Sequence, residues 1–137
     1  MAENIRLEVV TPEKSVVSEN AQIVMAPGSL GEFGVLSGHT PFLTTLKTGA
    51  MKYTDESGQE RFVFISSGFA EALPDRVTVL AESAERRKDI DVQRAQAAAE
   101  RAEKRLQAQN KEEEIDFMRA KAALMRAISR LQLVETR

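Results

Sequence analysis

Asp91 and Arg94 stand three residues apart, and Arg101 and Arg105 continue the same rhythm. On a helix, residues three and four apart share a face. The row 91, 94, 98, 101, 105 therefore gathers one carboxylate and three guanidinium groups. Arg119, Arg126 and Arg130 make a second row, all basic. Two such rows brought together repel unless an anion lies between them. Guanidinium forks grip phosphate oxygens two at a time, and a polyphosphate would satisfy them. Asp91 could orient an arginine, or accept from a base or a ribose. The chemistry on offer is binding of a polyphosphate. A solvated charged face with intrahelical pairs is the competing reading of the same spacing.

The remaining candidates sit in PGSLGEFGVLSGHTPFLT (27–44), which holds Glu32 and His39. A phosphate-binding loop needs glycines, then Lys-Ser/Thr and a helix. Here Gly38 is followed by His39 and by strand-like PFLTTL. The glycines fit tight turns and bulges. With no Cys, no nucleophile elbow and one His, neither thiolate catalysis nor a multi-histidine metal site within one chain is available. An exposed Glu32 or His39 reads better as a partner contact.

These residues must be positioned by two modules of different grammar. All 7 Gly and all 4 Pro lie at or before Pro74. In that part IRLEVV (5–10), KSVVS (14–18), AQIVMA (21–26), PFLTTL (41–46), AMKYT (50–54), RFVFIS (61–66), GFAEAL (68–73) and RVTVLA (76–81) read as strands, with DESGQ (55–59) as a hairpin turn. Many short strands predict an all-β sandwich or barrel over 1–85. From 86 onward Ala, Glu, Lys, Arg and Leu dominate, and all are strong helix formers. Ala95, Ala98, Ala102 and Leu106 make one apolar stripe; Phe117, Ala120, Leu124, Ala127, Leu131 and Val134 make another, with QNKEE (109–113) between them. The spacing predicts helices over 90–108 and 113–134, paired as an antiparallel two-helix hairpin in a module of 86–137. The first stripe is mostly alanine. At about 25 cal/mol per Å² it buries little, so the hairpin can open if a partner offers a better surface.

Charge divides at the same place. Residues 1–85 carry 12 acidic and 6 basic side chains, net −6; residues 86–137 carry 9 and 13, net +4; the sum is the −2 of the whole chain. A basic half suits an anionic ligand or an acidic protein surface. It does not read as a nucleic-acid binder: of 6 Phe and 1 Tyr, only Phe117 falls there to stack on bases. There is no apolar run of membrane-spanning length and no secretory signal at the start.

Three stretches, in this order, carry a resemblance: GSLGEFGVLSGHTPFLTTLKTG (28–49), FISSGFAEALPDRVTVLAESAE (64–85) and DIDVQRA (89–95) with the helical pair after it. Together they resemble the epsilon subunit of the bacterial F-type ATP synthase, co-linearly over essentially the whole chain. Ser37 stands where that family often has Pro, and Ser67 where it often has Gly. The resemblance implies a sandwich of two five-stranded sheets followed by the hairpin, and no catalysis by this chain. It implies a place in the central stalk, bound to the gamma subunit and the ring of c subunits, with Glu32 and His39 facing them. The sandwich would couple proton-driven rotation to ATP synthesis elsewhere. The hairpin would extend toward the alpha and beta subunits to inhibit ATP hydrolysis, with Arg119, Arg126 and Arg130 meeting an acidic loop. The location implied is peripheral, on the cytoplasmic face of the bacterial membrane. Some members bind ATP through an I/L-D-x-x-R-A motif, matched here by Ile90, Asp91, Arg94 and Ala95. The other ligand positions fall on Glu85, Arg101, Arg126 and Arg130, so ATP is implied as a regulatory ligand and no cofactor as obligatory. A stand-alone module binding ATP or another anion is the alternative.

Overall fold

The computed structural model describes residues 3–107 and 114–136. Seven strands come first: β1 (Ile5–Val10), β2 (Ser15–Gly28), β3 (Gly31–Val35), β4 (Phe42–Leu46), β5 (Gly49–Asp55), β6 (Glu60–Leu73) and β7 (Arg76–Arg86). A single 3-10 turn, Arg87–Asp89, leads to α1 (Val92–Gln107) and α2 (Glu114–Glu135). The chain divides into two compact units, Met1–Arg87 and Lys88–Arg137. The division falls two residues beyond the expected 85, because β7 runs on through Arg86.

The first unit is a β-sandwich built from one continuous sheet. β1 pairs antiparallel with β2 and parallel with β7. β5 joins β2 to β6, and β6 pairs with β7 along its length. The pairings thus close a ring, β1–β2–β5–β6–β7 and back to β1. The resemblance implies ten strands, five to a sheet; the described residues hold seven. The expected KSVVS and AQIVMA fuse into β2, and RFVFIS and GFAEAL into β6, so β2 and β6 reach 14 residues each. Such long strands change neighbours on the way. β6 pairs with β5 at its start and with β4 further on. A long strand of this kind can serve both layers.

Alternation sets the core. Ile5, Leu7 and Val9 are fully buried, while Arg6 between them is exposed. They pack with Val17, Val24, Met51, Tyr53, Val63, Ile65, Val77 and Val79. The predicted turn at DESGQ is present. Gly58 supplies its positive φ of 88°. The Asp55 carboxylate accepts from the Ser57 hydroxyl at 2.6 Å, the Gln59 amide at 2.9 Å and Arg61 Nε at 3.1 Å. These donors, the Ser57 hydroxyl foremost, hold its pKa down at about 2.

In the second unit α1 and α2 pack on each other. Ala95 and Ala102 are the buried residues of α1; Ala120, Ala127 and Leu133 are buried on α2. The seam centres on alanines, as the sequence indicated for α1. On α2 the expected stripe shifts. Phe117 is 52% exposed rather than in the seam, and Leu124 and Leu131 are half-buried flanks. Close approach at Ala120 and Ala127 turns the larger neighbours to the sides. The QNKEE segment expected to break the helices lies outside the described residues.

Candidate functional site

The helix start that carries Asp91 explains most of its own motif. The Arg94 backbone N–H donates to Asp91 Oδ1 at 3.0 Å, and the Ala95 N–H donates to the Asp91 carbonyl at 3.0 Å. Asp91 is therefore the N-cap of α1, with Val92 the first helical residue. Ile90 then precedes the cap and Ala95 is the fourth helical residue. These are the two positions of a hydrophobic staple, and both side chains are buried. Three of the four motif residues thus have a folding reason. Ala95 in particular is buried packing rather than an open ligand contact. Arg94 has no such reason: the third helical position favours Glu or Gln, and a cation there opposes the helix dipole.

The other expected ligand residues are spread over both units. Glu85 is half-buried on β7, in the first unit. Arg101 is exposed on α1. On α2, Arg119 is exposed, while Arg126 and Arg130 are half-buried. The first row accordingly presents Arg94, Arg101 and Arg105 to solvent, with Ala98 turned partly inward. A set of exposed guanidinium groups along one helix can take an anion.

Glu32 and His39 are positioned by one strand and the loop after it. Glu32 is exposed on β3, opposite Pro27. The loop is pinned by the Gly38 N–H donating to the Pro74 carbonyl at 2.7 Å and the His39 N–H donating to the Leu36 carbonyl at 3.1 Å. His39 Nδ1 lies 2.6 Å from the Thr40 carbonyl, which can only accept, so Nδ1 carries the hydrogen. The ring also meets Phe42 edge-on at 6.3 Å. His39 is thus oriented by the loop itself and not by Glu32.

What the sequence reading missed is apolar. Leu30, Leu36, Phe42 and Leu43 are all exposed around this strand and loop, Leu30 completely. On the sheet beside them, Thr45 pairs with Phe69 and Phe69 with Leu80. Leu43, two residues from Thr45, shares its face. Leu43 is 67% exposed, Phe69 47% and Leu80 41%, so three apolar side chains share one solvent-open face, with Glu71 opposite Leu43 and Thr45 opposite Phe69. Such a face on a folded sheet marks a docking surface. Glu71 is the available signal: it stands two residues from Phe69 on the same face of β6, and a carboxylate belongs outside.

Comparison with known proteins bears on both units. Residues 4–87 match the ATP synthase delta/epsilon chain β-sandwich domain, and residues 88–135 match the long α-helix domain of the same chain. The ATP synthase epsilon chain of Desulfosudis oleivorans is 71% identical over 105 residues, covering 77% of this chain and 79% of that one. Its counterpart from Nitratidesulfovibrio vulgaris is 52% identical over 105 residues, 77% and 78% of the two chains. Among solved structures, a chain of the Euglena gracilis mitochondrial ATP synthase superposes with a TM-score of 0.79 at 23% identity, covering 92% of this chain and 78% of that one. At that identity the likeness speaks for the fold. Two family domains in order from end to end, and relatives of this identity, lead to one conclusion: the chain belongs to the ATP synthase delta/epsilon chain family, among the epsilon chains.

Proposed function

We propose that this chain is a non-catalytic part of the central stalk of a proton-translocating ATP synthase. The sandwich binds the gamma subunit and the ring of c subunits and carries rotation between them. The complex holds it on the cytoplasmic face of the membrane. The observation that carries this reading is the set of exposed apolar side chains Leu43, Phe69 and Leu80 on one face of a ring-closed sheet in a chain of this family. A rigid body with an uncovered apolar face suits permanent attachment to a partner. The hairpin is the regulator. Its alanine seam separates readily, and its surplus of basic residues favours docking on an acidic surface of the alpha and beta subunits.

Reconstitution tests this. ATP synthase stripped of its epsilon chain should take up this protein and regain proton-coupled synthesis with restrained hydrolysis. Leu43→Glu with Phe69→Glu should weaken uptake at least tenfold, the order of effect for charges forced into an apolar interface. Charge reversal at Arg119, Arg126 and Arg130 should leave uptake intact and release hydrolysis. Inhibition unchanged in the triple variant would sink the docking role of those arginines.

Arg94 favours a second property of the same hairpin. A cation in the first turn of α1 costs stability unless an anion meets it. ATP bound by Arg94, Arg101, Arg126 and Arg130, with Asp91 on its base or sugar, would stabilise the closed hairpin by RT ln(1 + [L]/Kd). The subunit would then withhold inhibition while ATP is plentiful. Calorimetry of the isolated chain should give a heat of binding with ATP that Arg94→Ala and Arg126→Ala each reduce about tenfold or more in affinity. Absence of heat at millimolar ATP would refute the sensor.

A further inference from the structure

β6 and β7 do not keep one alternation along their length. In the first part of β6, Val63 and Ile65 are fully buried in the core. Strict alternation from there would carry Ser67, Phe69 and Glu71 inward. Instead these three are exposed, and Ala70 and Ala72 take the inner places. β7 changes in the same way: Val77, Val79 and Ala81 belong to the core, and then Ala84 rather than Ser83. A slip of one residue moves every later side chain to the opposite face. Each strand makes one such slip.

Both slips fall at one level, and the backbone marks it. β6 and β7 are paired from Val63–Arg86 to Leu73–Arg76, and the ladder is interrupted between Ser66–Ser83 and Gly68–Ala81. Ser67 and Glu82 face each other across that gap, and both are exposed. Ser67 has a φ of 56° and Gly68 one of 144°. Because the two strands slip in step, their register is the same on either side, and the face alone changes. Phe69 and Leu80, which are paired, therefore come out together. Without the slip Phe69 would turn to the core, and so would Glu71 with its partner Leu43. A buried carboxylate without a partner is costly, so the residues after the gap suit the slipped face alone.

We infer that Ser67, through its left-handed backbone, is the positioning residue of the face that carries Leu43, Phe69 and Leu80. It holds the slip that turns Phe69 and Leu80 outward, and it need touch no partner itself. The inference rests on that face being the docking surface proposed above. A β-branched side chain resists the left-handed region, whereas asparagine enters it readily. The backbone and the hydroxyl of position 67 can thus be tested apart.

The chain holds no cysteine, so one introduced thiol reports on its own site. In the full chain Phe69→Cys should react with a maleimide at least about a hundredfold faster than Ala70→Cys. Adding Ser67→Val to each should shrink that ratio about tenfold or more, and adding Ser67→Asn should preserve it. Without the thiols, Ser67→Val should weaken uptake by ATP synthase stripped of its epsilon chain about tenfold, and Ser67→Asn should restore it. Hydrogen exchange at Val63–Ile65 is the control for folding, and Ser67→Ala serves if Ser67→Val fails that control. A thiol ratio unmoved by Ser67→Val overturns the positioning role, whatever happens to uptake. Equal loss in Ser67→Val and Ser67→Asn also overturns it, because the hydroxyl and not the backbone would then matter. A ratio that collapses while uptake holds would instead overturn the docking surface and leave the slip standing, so the two failures are distinguishable.

Discussion

At position 67 the chain holds a serine with a φ of 56°, in the left-handed region that side chains resist. The conformation costs such a residue about 1–2 kcal/mol. Gly68 follows with a φ of 144°, and a Cβ there would run into the Leu80 carbonyl oxygen. The two residues let β6 bend between the part that pairs with β5 and the part that pairs with β4. Their roles differ, and so should their variants. Ser67→Gly removes the strain but loosens the unfolded chain, so a net gain of about 0.5–1 kcal/mol is expected in urea denaturation. Gly68→Ala forces backbone apart and should cost more than about 2 kcal/mol. A neutral Gly68→Ala would mean that β6 and β7 are not as closely apposed as described. In the sequence Ser67 is visible only as a departure from family habit; the backbone angle gives that departure a physical meaning.

At the scale of elements, the start of α1 separates folding from function. Asp91→Ala should lower the stability of the helical unit by about 1 kcal/mol, and Asp91→Asn by much less, because asparagine caps as well as aspartate. Exchange at the Arg94 amide, which the cap holds, reads this directly. Equal loss in both variants would show that the charge and not the cap matters. The elements also show what could be read in advance. The helices were legible because alanine-rich periodicity and the absence of Gly and Pro leave little else. The β3 strand was not: Gly31 and Gly34 hide its alternation, and the stretch reads as a loop. The face of β6 was hidden too. GFAEAL offers Phe69 or Ala70 for the core, and size suggests Phe69, yet Ala70 is the one 1% exposed. Close packing against β4 and β7 decided it, and that depends on neighbours no local pattern reveals.

For the whole molecule, the acidic and basic modules were legible as a change of composition, and the order sandwich-then-hairpin followed. The ring closure was not, because the parallel pairing of β1 with β7 joins residues such as Arg6 and Arg76 that no local signal connects. Of the candidate site, the arginine rows were visible from spacing. The exposed apolar face of Leu43, Phe69 and Leu80 was not, since exposure is a tertiary fact. The parallel pairing has a consequence during synthesis. The first strand made must wait for the seventh, some 70 residues later, before the ring of strands can shut. Contacts so distant in sequence make for slow folding, because loop closure must precede the reward. Until β7 emerges from the ribosome, the apolar faces of six strands stand open. The nascent chain is therefore most vulnerable to aggregation while β7 is still inside the ribosome, and a pause in translation over that interval would be more harmful than one after β7 has emerged.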